Sequence, residues 1–87
     1  MSAHAYIQWA DVPTELARTS KQHVDEPTKA QIVALDGCPL CGEIEKIHGR
    51  EPATRLQVQF PFPRESTLRD ALIDWFMHWG IPFAVLP

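Results

Sequence analysis

Between Thr54 and Phe60 the chain alternates without a break: Leu56, Val58 and Phe60 are apolar, while Arg55, Gln57 and Gln59 are polar. A two-residue period of this kind is a strand with one face in a core and the other in water. The run constrains the fold more than any other feature, because its apolar face must be roofed by a second layer. Pro61 and Pro63 are expected to stop the strand. The roof follows directly. Leu68, Leu72, Trp75, Phe76 and Trp79 recur at the helical period, with Ala71 beside them and Gly80 as a natural stop. Ser66 or Thr67 is the expected N-cap, and Glu65 or Asp70 places negative charge at the positive end of the helix.

The rest of the chain is read against that pair of elements. Ala5–Trp9 is a first strand, with Ala5, Ile7 and Trp9 on one face. Asp11 is positioned to cap a helix that holds Pro13 in its first turn and runs from Thr14 to His23, with a poor apolar face of Leu16 and Ala17. Pro27 ends any continuation. Ala30–Leu35 is a strand with β-branched residues at its centre, and Asp36-Gly37 a turn. Glu43–Ile47 suits either a short helix or a strand. Ile81–Leu86 is a final strand that Pro82 confines to an edge. This order predicts a single α+β domain over residues 1–87. Its arrangement is the ferredoxin-like βαββαβ order, with a cysteine-bearing insertion between the second and third strands. The alternative is a zinc-ribbon-like α+β domain in which Ala30–Leu35 and Glu43–Ile47 form a hairpin across the cysteines.

The insertion holds the one chemically distinctive motif, Cys38-Pro39-Leu40-Cys41-Gly42. The spacing lets two thiolates reach one ion from a tight turn that Pro39 stiffens. Gly42 permits a positive φ and leaves N–H groups free to face the sulfurs. These five residues resemble half of the tetrahedral zinc site of ribbon-type domains, which implies one zinc ion held by Cys38 and Cys41. His48 is the nearest nitrogen ligand in the sequence. A fourth ligand could come from His4, His23, His78, an acidic side chain or a second chain. Read differently, a strand followed by Gly37–Gly42 and a short helix resembles the active-site turn of the thioredoxin and glutaredoxin superfamily. That resemblance implies Cys38 as nucleophile and Cys41 as resolving thiol.

Other chemistry has little support. Asp70, Asp74 and His78 share a helical face but read as solvated. No glycine-rich phosphate loop occurs, and no small-molecule substrate is evident. Eight basic residues against eleven acidic ones, with no basic run, weigh against nucleic acid, so a nucleic-acid-binding zinc module is the third-ranked reading. No apolar run approaches a membrane span and no signal peptide is expected, so a cytoplasmic, membrane-free setting follows. Two cysteines form no disulfide framework, which agrees with a reducing compartment. The C-terminal third is unusually apolar. Leu72, Trp75, Phe76, Trp79, Ile81 and Phe83 are the expected contact surface for a protein partner or a homodimer. The leading expectation is therefore a non-enzymatic protein-binding or regulatory module steadied by a zinc-holding cysteine turn, with a small thiol–disulfide oxidoreductase as the alternative.

Overall fold

The computed structural model describes residues 3–48 and 54–87. The elements are β1 (Ala3–Gln8), a 3-10 turn (Trp9–Asp11), α1 (Thr14–Arg18), β2 (Lys21–Asp25), β3 (Ala30–Ala34), β4 (Gly42–His48), β5 (Thr54–Phe62), α2 (Ser66–His78) and β6 (Ala84–Leu86). The six strands form one sheet in the order β2-β3-β4-β5-β1-β6, and every neighbouring pair is antiparallel. The α+β class holds, but the ferredoxin-like order does not. Two segments account for the difference. Lys21–Asp25 is a strand rather than the end of a helix, and the undecided Glu43–Ile47 segment lies within β4. The hairpin expected in the ribbon-like alternative is present as β3–β4, with Gln31 opposite Ile44 and Val33 opposite Gly42, inside a larger sheet.

Alternation places the core on one face. Ala5 and Ile7 of β1 lie opposite Phe60 and Val58 of β5, and all four are buried together with Val33 and Leu35. The helix α2 supplies the roof with Leu72, Trp75 and Phe76. The Phe76 ring meets Phe60 edge-on at 5.5 Å between centroids and Phe83 at 4.8 Å, distances at which aromatic pairs gain beyond simple burial. The opposite face carries Tyr6, Gln8, Glu45, Gln57 and Gln59. Their side chains bond across strands: Gln8 Nε2 donates to Gln57 Oε1, Gln57 Nε2 to Glu45 Oε1, and Gln59 Nε2 to the Tyr6 hydroxyl. The face that no helix covers is thus stitched by amides rather than left apolar.

The helix ends differ from expectation in instructive ways. The N-cap of α2 is Glu65, not Ser66 or Thr67; its carboxylate accepts from the N–H groups of Thr67 and Leu68. At the C-terminus, Gly80 N–H donates to Met77 O and Ile81 N–H to Phe76 O. With Gly80 at φ +65° this is a Schellman closure, and it drives Ile81 back into the core. Asp11 makes no side-chain cap, and Pro13 precedes α1 as its N-cap. The helix stops at Arg18 because Thr19 and Ser20 turn their hydroxyls onto the carbonyls of Glu15, Leu16 and Ala17. Nor does Pro61 stop β5. It pairs with His4 of β1, while on its other side β4 has already ended at Gly42, and Phe62 continues the strand opposite Ala3.

Candidate functional site

The cysteine turn joins β3 to β4. Leu35 anchors it in the core, Gly37 reverses the chain at φ +77°, and Cys38 N–H donates to Leu35 O at 3.0 Å. Trp75 of α2 ties the turn to the roof through a bond from Nε1 to Asp36 O at 3.2 Å. Cys38 packs against the core, whereas Cys41 borders the helix-free face beside Glu43 and Gln59. Gly42 ends the motif for a steric reason, since a Cβ there would sit 2.4 Å from Val58 Cγ1 and about 3 Å from the Phe60 ring. Both cysteines are free; Cys38 is half-buried against the core and Cys41 is exposed.

Burial pushes the Cys38 thiol up to about 11, against the lowering pull of the Leu40 N–H. The segment after Cys41 is strand β4, not a helix. The turn therefore lacks both the helix N-terminus and the low thiol pKa that the resemblance to redox turns implies. His48 closes the far end of β4. Seven extended steps separate it from Cys41, roughly 23 Å at the usual strand rise. The fold instead brings His4 to the Cys41 side, where both border a cavity of about 230 Å³ with Glu43 and Gln59. Among the described residues, no three His, Cys, Asp or Glu side chains converge as a metal would need.

Most of the expected contact surface is internal. Leu72, Trp75, Phe76 and Ile81 are buried, and Phe83 is half-buried against Phe76. The inner faces of six strands, with α1 beside them, hold more side chains than the smaller sheet expected from the sequence. Trp79 lies at the surface beside Leu16 and Asp36. The other large apolar groups left in water are Met77 on α2, Val24 on β2 at 52% exposure, Leu56 on β5, and Val85 and Leu86 on β6 at 39% and 53%. Among the described residues β6 is an edge, paired with β1 through His4–Leu86, Ala5–Val85 and Tyr6–Ala84. The segment Ile81–Pro87 contains no charged residue. Its opposite number, β2, presents Lys21, His23 and Asp25. The two edges of one sheet are thus differently guarded, as charged side chains discourage strand addition and apolar ones do not. Val85 and Leu86 fell outside the expected contact set; the absence of charge after Gly80 was the signal available for them.

A groove of about 560 Å³ lies near the β2–β3 turn and is bordered by Trp9, Gln31, Ile44, Lys46 and Leu56. No helix among the described residues is long and apolar enough to cross a membrane. Comparison with known protein families, with curated proteins and with solved structures finds no match.

Proposed function

We propose that this chain is a non-enzymatic protein-binding module that takes an extended segment of a partner protein onto the β6 edge. The observation that carries the reading is the contrast between the edges: β2 has Lys21 and Asp25 at its ends around a single exposed apolar residue, Val24, whereas Ala84-Val85-Leu86 is apolar and exposed throughout and has no charge in or beside it. Strand addition draws affinity from main-chain hydrogen bonds and selectivity from alternate side-chain contacts. Val85 and Leu86 flank that line on opposite faces, so the fitting partner is a short uncharged strand with β-branched or aromatic residues. Pro82 and Pro87 bracket the edge and limit the added strand to a few residues. The cysteine turn, bonded to α2 through Trp75, is a staple for the scaffold in this reading.

The test is selection from a display library of linear peptides, followed by amide-shift mapping on labelled protein. Selected peptides should be apolar and strand-forming, and their perturbations should centre on Ala84–Leu86. Perturbations centred on β2 or on the groove near Trp9, or no selectable binder, would refute it.

A further inference from the structure

We propose that the groove at the open end of the roofed face binds a small organic acid with a flat apolar body, an aromatic carboxylate being the simplest case. The helix α2 does not cover the whole of that face. Val58 is fully buried, but Leu56, two residues before it on the same face of β5, is 37% exposed. Register carries the face outward: Ile44 lies opposite Val58, Lys46 lies opposite Leu56, and Trp9 follows Gln8, which pairs with Gln57. Trp9, Ile44 and Leu56 thus form an apolar floor from three neighbouring stretches of chain, in a groove of about 560 Å³. That volume is within the range of small-ligand sites, and an apolar floor with a few polar groups at the rim is their usual make-up.

The rim selects the charge of the ligand. Gln31 lies opposite Ile44, so two further steps set Lys29 level with Lys46, and both lysines border the groove. Like charges facing each other across strands repel. Among the described residues Lys46 makes no ion pair, and Lys29 meets Glu26 in an exposed contact that water weakens. Glu43 also borders the groove, but it pairs with Gln59, and alternation turns its side chain to the helix-free face. Gln22 and Gln31 line the adjoining wall, with Gln31 Nε2 donating to Gln22 Oε1 at 2.7 Å, so that wall adds no charge. An anionic head between the lysines relieves their repulsion while the rings lie on Trp9. Lys29 gives a second, independent sign. Among the described residues it is the one non-glycine at positive φ, +62°, where glycine would sit without strain. Strained backbone concentrates at ligand clamps, and glycine here would remove a cation from the rim. The floor is built on β4 and β5, whereas β6 lies beyond β1. The site therefore stands or falls separately from the peptide reading.

The experiment is titration of the isotope-labelled full-length chain with a naphthalene carboxylate and, separately, with its neutral carboxamide. The expected result is saturable shifts of the Trp9 indole N–H and of the Ile44 and Leu56 amides, with Ala84–Leu86 unmoved and the acid bound more tightly than the carboxamide. Lys46→Gln should weaken the acid about two- to fivefold and leave the carboxamide unchanged. Lys29→Gly should weaken the acid by a similar factor while the protein resists urea at least as well as before, a combination that loss of structure would not produce. Equal affinity for acid and carboxamide would overturn the proposal, as would shifts centred away from the groove. No saturable binding at millimolar acid would overturn the site altogether.

Discussion

At residue scale the cysteine turn is governed by burial. Cys38 leans on the core and Cys41 faces water. In metal-free protein, brief alkylation at pH 8 followed by mass mapping should modify Cys41 first and Cys38 slowly, since burial holds the Cys38 proton to about 11. Preferential labelling of Cys38 would return the redox reading. The same shift sets a pH dependence. The unfolded chain gives up that proton earlier, so the contribution is complete below the ordinary thiol range and is lost as pH climbs toward 11. Gly42 is a second point of strict demand. Gly42→Ala drives a methyl into Val58 and Phe60, both fully buried, and should cost about 1–3 kcal/mol by urea denaturation. Unchanged stability would mean that β4 can shift away from β5. The sequence marks Gly42 as a turn glycine; its position opposite two core side chains was not legible, because it depends on register.

At the scale of elements, α2 and β5 were readable because each repeats one period over a long run, Leu68 to Trp79 and Thr54 to Phe60. The strand β2 was hidden for the opposite reason. As an exposed edge strand it needs no alternation, and Val24 is its one large apolar residue. Asp25–Lys29, which reads as a helix stop, is the hairpin turn that creates it, closed by Lys29 N–H to Asp25 O with Lys29 at φ +62°. The contact between α2 and the cysteine turn was equally invisible, since Trp75 and Asp36 lie 39 residues apart. Trp75→Phe keeps most of the packing and removes the indole donor. Stability should fall by about 1 kcal/mol. Amide exchange should quicken at Cys38, which is held by the adjoining bond. Unaltered exchange there would show that Trp75 merely fills space.

At the scale of the whole molecule, one helical layer roofs one face of a six-stranded sheet, and the radius of gyration of 13.0 Å sits slightly above the roughly 12 Å typical of this length. Such a plate has two ends where strands could be added. The apolar tail of the sequence pointed to the C-terminal helix and edge together as a contact surface, and the fold treats the two differently. Helical residues such as Leu72 and Phe76 went inward, and β6 was left outside. Sheet order decides which strands are edges, and no local period encodes it. The central claim is therefore about edges, and a matched pair of substitutions tests it. Calorimetry with the tightest selected peptide should show Val85→Lys weakening binding about tenfold or more, close to 1.4 kcal/mol. Val24→Lys on the other edge should leave affinity essentially unchanged. Equal losses from the two variants, or a loss from Val24→Lys alone, would contradict the account.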